Sequence, residues 1–220
     1  MTQAQKRARL AEIVERLKKI YPDAACALHW NGEPFRLLIM GSLSAQCTDA
    51  RVNEVSDVLF SKYPTPHAIA EADISDLEAI IRPCGLFRVK SQNTKNACAL
   101  LVDAYGGVLP DTMEELLKFP GVGRKVANLL LGDIYQKGGV VADTHCIRIC
   151  GRFGMYPEAL KDPVKVEKTL TPLLEASEIS DFCHRIVQFG RDVCSARAPK
   201  CESCPLADVC EHALRQKEAK

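Results

Sequence analysis

Apolar residues recur along this chain at intervals of three and four, the period of helices that bury one face. They outline helices at roughly 3–20, 35–46, 49–62, 75–83, 88–104, 111–118, 122–136, 144–154, 163–175 and 180–193. Asp76 and Asp111 stand where caps are expected, and Gly106–Gly107 and Gly138–Gly139 mark stops. Strict alternation is nearly missing: Gly139-Val140-Val141-Ala142 is at most one strand's worth. No internal repeat or low-complexity segment interrupts the pattern. It predicts an all-α fold.

Composition adds bounds. With 220 residues, 47% hydrophobic and 26% charged, the chain can bury a core as one domain or two small ones. No stretch approaches the roughly 20 apolar residues that span a bilayer. The opening MTQAQKRARLAEIVERLKKIY reads as an amphipathic helix and lacks the apolar core of a secretory leader. A cytoplasmic, non-secreted monomer without a membrane partner is therefore expected. The net charge of +1 points to no partner, so any phosphate-binding surface must come from local charge. Arg82, Arg88, Lys90 and Lys95 form an acid-free run before Leu101, which suits either a solvated face or a phosphate-binding surface.

Residues 113–131 read MEELLKFPGVGRKVANLLL. One helix ends near Lys118, a Phe-Pro-Gly-Val-Gly turn follows, and a second helix is expected from Val122. Pro120 stops the first helix, and Gly121 and Gly123 allow backbone angles and approaches that side chains would block. The turn would present free N–H groups of a helix start to an anion such as a DNA phosphate, although an αα-hairpin used only for packing has the same pattern. In the second helix Val122, Val126, Leu129 and Leu130 make an apolar stripe. Helical geometry then turns Arg124 away from the stripe and sets Lys125 about 60° off its axis. At that edge partial desolvation would favour a free, nucleophilic amine; an ordinary surface lysine is the other reading.

Asp143 precedes the helical pattern that begins at Thr144. It suits an N-cap, and equally a carboxylate that moves protons or stabilises a developing cation. His145 is either a proton carrier or a hydrogen-bonded structural histidine.

The chain has eleven cysteines. Cys26, Cys47, Cys84, Cys98, Cys146, Cys150 and Cys183 are scattered in apolar helical contexts and suit small buried side chains in a reducing compartment. Cys194, Cys201, Cys204 and Cys210 are spaced C-x6-C-x2-C-x5-C. Four such thiols imply a tetrahedral metal ion or an iron–sulfur cluster. Zinc favours two separate C-x2-C knuckles, and only one is present, so one loop around a larger cluster fits better.

Phe119-Pro120-Gly121-Val122-Gly123-Arg124-Lys125-Val126-Ala127, followed by Val141-Ala142-Asp143-Thr144-His145, resembles the signature of the endonuclease III family of helix–hairpin–helix DNA glycosylases. Leu43-Ser44-Ala45-Gln46-Cys47-Thr48-Asp49 is similar to an early motif of that family, with cysteine at 47 where relatives commonly carry alanine. Ala142 stands where they commonly carry valine. The resemblance implies two helical domains with a cleft between them, one of about residues 27–137 and one of 1–26 plus 138–220. Lys125 and Asp143 would come from opposite sides of that boundary. It implies that Lys125 attacks the sugar C1′ and that Asp143 assists base departure, on damaged double-stranded DNA carrying oxidised pyrimidines or abasic sites. Gln46 and Leu86, the latter in a Gly85-Leu86-Phe87 loop, would fill the gap left by an extruded nucleotide. The four clustered cysteines would hold a [4Fe-4S] cluster, and Gly121, Gly123, Arg124, Arg197 and Lys200 would meet DNA, with Arg185 and Arg191 as weaker candidates. An adenine glycosylase of the same superfamily and a non-catalytic DNA-binding module are the competing readings.

Overall fold

The computed structural model describes residues 1–218. Among these the chain is helical, with no strand, and holds two apolar cores. One compact unit is Cys26–Tyr135; the other combines Met1–Ala25 with the chain from Gln136 onward.

The continuous unit contains α2 (Pro34–Leu43), α3 (Asp49–Lys62), α4 (Pro66–Glu71), α5 (Ile74–Ile81), α6 (Phe87–Tyr105), α7 (Met113–Leu116) and α8 (Arg124–Tyr135). In α2 every residue from Leu37 to Leu43 is buried. A helix apolar all round belongs at the centre of a core. Gly41 lets α8 approach it: a Cβ there would lie 2.9 Å from Val126 Cγ1.

The other unit contains α1 (Gln3–Ile20), α9 (Thr144–Arg152), α10 (Pro163–Leu170), α11 (Ile179–Asp192) and α12 (Glu211–Glu218). A capping box starts α1: the Gln5 N–H donates to Thr2 Oγ1 at 3.3 Å, and the Thr2 N–H to Gln5 Oε1 at 2.8 Å. Its buried residues Leu10, Ile13, Val14 and Leu17 follow the i, i+3, i+4, i+7 pattern. Burying such side chains contributes about 1.5–3 kcal/mol each.

Several ends differ from the sequence reading. Two helices, α4 and α12, are additional. Asp73, not Asp76, caps α5 by accepting from the Ser75 N–H, and Thr112, not Asp111, caps α7. The helix expected to reach 46 stops at Leu43, because Gln46 takes a left-handed backbone, φ +54°. The helix expected to reach 175 stops at Leu170, where a 3-10 turn, Thr171–Leu173, carries Pro172. No ladder forms at 139–142.

Candidate active site and metal centre

The hairpin is set by glycine and by a buried aromatic. Phe119 is buried and its ring lies 5.2 Å from that of Tyr105. The Val122 N–H donates to the Phe119 carbonyl, closing the turn. Gly121 has φ +81°, and a Cβ there would collide with Ser42 Oγ and lie 3.3 Å from Asn93 Nδ2. The turn therefore sits directly on α2 and α6. A Cβ added at Gly123 would meet nothing within 4 Å, so this side of the turn is open.

The structure reverses the expected roles of the two basic residues that follow. Helix α8 starts at Arg124, two residues later than anticipated, and buries Ala127, Asn128, Leu130, Leu131 and Gly132. Val126 and Leu129 are only half-buried. This shift of the stripe leaves Arg124 half-buried and Lys125 exposed. Protein packing does not desolvate the Lys125 amine.

Gln46 and Leu86 are both exposed, and both adopt left-handed backbones, at φ +54° and +47°. Such angles disfavour leucine by about 1–2 kcal/mol, so the fold holds Leu86 there. Leu86 is 62% exposed, not the core residue that its chemistry alone suggests. Lys90, sequestered on α6 with 4% exposure, donates from Nζ to the Ala45 carbonyl at 2.8 Å and to the Cys84 carbonyl at 2.7 Å. One ammonium thus ties together the loops that carry Gln46 and Leu86.

That use of Lys90 corrects the reading of the basic run. Lys95 also turns inward, donating to the Ala72 carbonyl at 2.5 Å, while Arg82 and Arg88 stay exposed. Their guanidinium carbons lie 5.1 and 5.2 Å from the Phe87 ring centroid. The double anchoring by Lys90 was not legible from spacing.

Asp143 is half-buried and caps α9, accepting from the Cys146 N–H at 2.7 Å. His145 Nδ1 lies 3.1 Å from Arg148 Nη2. The helix that Asp143 caps is tied to the cysteine loop by two arginines that sequence reasoning passed over. Arg148 donates to the Cys194 carbonyl from Nε and Nη2, at 3.3 and 3.0 Å. Arg152 is buried and donates to Cys194 Sγ at 3.2 Å, to the Ser195 carbonyl at 2.7 Å and to the Ala196 carbonyl at 3.0 Å. A charged residue on the apolar face of α9, beside Ile149 and Phe153, was the available signal.

The four clustered cysteines fit an iron–sulfur group by their surroundings. Cys194 and Cys210 are buried, Cys201 and Cys204 half-buried. Burial pushes the Cys201, Cys204 and Cys210 thiols up. The Leu206 N–H works against this at Cys204, and the Ala213 and His212 N–H groups do so at Cys210. N–H groups and a guanidinium aimed at sulfur are what bound thiolates require. Arg197 and Lys200 are exposed on the same loop, whereas Arg185 is buried and paired with Asp181 at 2.9 Å. Arg185 is therefore no surface candidate. Arg191 is exposed.

Residues 39–176 match the HhH-GPD superfamily of base excision DNA repair proteins, and residues 194–210 match the iron–sulfur binding domain of endonuclease III. Endonuclease III of Synechocystis is 41% identical over 211 residues, covering 96% of this chain and 95% of that one. The Escherichia coli K12 protein of that name is 34% identical, covering 94% and 96%. The solved structure of a trapped endonuclease III–DNA covalent intermediate, an estranged-adenine complex, superposes with a TM-score of 0.87 at 39% identity, covering 99% of each chain. The hairpin, the capped Asp143 helix and the cysteine loop thus sit in a chain that belongs to the endonuclease III family of HhH-GPD base excision repair glycosylases, with its iron–sulfur cluster domain at residues 194–210.

Proposed function

We propose that this chain is a bifunctional DNA glycosylase and abasic-site lyase that removes oxidised pyrimidines from double-stranded DNA and then cleaves the strand. The observation that carries the reading is Lys125, an exposed primary amine in the first turn of α8, directly after a glycine turn with open space at Gly123.

A base inside the duplex is out of reach, so the nucleotide must be extruded. Gln46 and Leu86, held exposed by the Lys90 clamp, would enter the space it leaves. The N–H groups of the hairpin turn would hold a backbone phosphate, with Gly121, Gly123 and Arg124 closest to it and Arg197 and Lys200 as further contacts. Lys125, as the neutral amine, would attack C1′, and the C1′–N bond would break as the base leaves. Because the amine is exposed, the DNA itself must exclude water from it. Ring opening gives a Schiff base; loss of a C2′ proton then expels the 3′ phosphate by β-elimination. Asp143 would stabilise the cationic sugar and relay protons. Cys194, Cys201, Cys204 and Cys210 would hold a [4Fe-4S] cluster, which supplies a fixed loop shape; no step of the chemistry passes through it. The reading also implies a cytoplasmic protein that acts as a monomer.

Borohydride trapping tests the mechanism. Cluster-loaded protein should form a covalent adduct with an abasic-site duplex, and Lys125→Ala should not. A loaded, duplex-binding wild-type protein that forms no adduct would overturn the lyase reading in favour of a monofunctional glycosylase or a binding module.

A further inference from the structure

The thiols of Cys47 and Cys84 take no part in the proposed mechanism. Cys47 is half-buried in the turn right after Gln46, and Cys84 is buried just before Gly85-Leu86. The Lys90 ammonium holds the Ala45 and Cys84 carbonyls on one nitrogen, so the backbones of the two loops are side by side. Cys84 belongs to the apolar core of this unit, and Cys47 packs against that same core.

We propose that Cys47 and Cys84 are a disulfide-forming site, which links the Gln46 and Leu86 loops when the protein meets a low-molecular-weight disulfide. Burial, and then the neighbouring Cys47, push the Cys84 thiol up to about 11, so Cys84 is a poor first nucleophile. Cys47 is the more accessible and reacts first. Its thiolate attacks one sulfur of the small disulfide, forming a mixed disulfide and expelling one small thiolate. Cys84 then loses its proton to that thiolate and attacks the Cys47 sulfur, expelling the second. Two protein thiols are oxidised and one small disulfide is reduced to two thiols.

The bond would fix the two sulfurs about 2.05 Å apart. Cys84 is anchored in the core, so Cys47 moves, and Gln46 with it. The functional consequence rests on the proposed reading that Gln46 and Leu86 enter DNA; the cross-link itself does not.

The test treats the full, cluster-loaded protein with glutathione disulfide, blocks free thiols and maps the unreduced peptides by mass spectrometry. A Cys47–Cys84 cross-linked peptide is expected, reversed by reductant and missing from Cys47→Ala, with the visible cluster absorption unchanged. Oxidised protein should bind an abasic-analogue duplex several-fold more weakly, reduction should restore binding, and Cys47→Ala should not respond. Glutathione retained on Cys47 with no cross-link, or a cross-link to another cysteine, would overturn the proposal. A cross-link with unchanged duplex affinity would uphold the pair and count instead against insertion of Gln46 and Leu86.

Discussion

Lys90 and Ala45 are joined by a 2.8 Å hydrogen bond from a buried ammonium to a main-chain carbonyl, and the same ammonium reaches the Cys84 carbonyl at 2.7 Å. Methionine at 90 fills a similar volume but leaves both carbonyls without their donor. Leaving a buried polar group unpaired costs about 1–3 kcal/mol. Lys90→Met should therefore lower the melting temperature by several degrees, and on the proposed reading weaken binding to an abasic-analogue duplex further than its stability loss explains. An unchanged melting temperature would show that the clamp does not hold the loops.

Much of this fold is written in the spacing of Leu, Ile and Val: α1 and α3 fall at the expected residues because both have long apolar stripes and threonine caps. The turns are less legible. Leu86 looks like core from its side chain, and only its neighbours decide that it is exposed and left-handed. Lys125 shows the same limit. The face of α8 that is buried runs through Ala127, Leu130 and Leu131 rather than through Val126 and Leu129, and this decides that Lys125 rather than Arg124 meets water. The cysteine loop was legible because ligand spacing is local. Its arginine partners lie more than 40 positions earlier in the chain and were not.

The two hairpin glycines should separate folding from recognition. Gly121→Ala places a methyl against Ser42 Oγ at a backbone angle that alanine resists, and should cost about 1–3 kcal/mol. Gly123→Ala meets nothing, so its melting temperature should match wild type. If the turn holds a phosphate, that methyl would stand in the way and duplex affinity should fall several-fold, as a fluorescence titration would report.

Asp143 acts as a cap whatever else it does, since its carboxylate accepts from the Cys146 N–H. Asp143→Ala should cost about 1 kcal/mol, while Asp143→Asn keeps the cap. Both should lose base-release activity on the proposed mechanism. Asparagine at 143 with full activity and wild-type stability would reduce the residue to its structural task.

Asp76 offers a pH-dependent check of the α3–α5 junction. Hydrogen bonds from Lys62, at 2.7 Å, and then from Tyr63 hold its carboxyl below the ordinary carboxylate range. A carboxylate lowered on folding contributes stability that is present above its unfolded value and lost as pH falls through the folded one. Asp76→Asn should therefore melt slightly earlier than wild type near neutral pH, with the gap closing in acid. A gap that widens on acidification would refute the assignment.

Arg152 should matter to the cluster out of proportion to its distance from any reacting atom. Its guanidinium spans Cys194 Sγ and the Ser195 and Ala196 carbonyls, and its own carbonyl faces Cys210 Sγ at 3.4 Å. Glutamine at this position is shorter and offers only one amide nitrogen, so it cannot reach all three acceptors. Removing the buried cation should cost about 2–4 kcal/mol and loosen the start of the loop at Cys194. The expected outcome for Arg152→Gln is less iron per chain after purification and faster loss of the visible absorption to a chelator. A double variant with Cys194→Ala should lose little more than Cys194→Ala alone, because both changes act on the same sulfur. Iron content and chelator kinetics equal to wild type in Arg152→Gln would mean that the loop keeps its shape without the arginine.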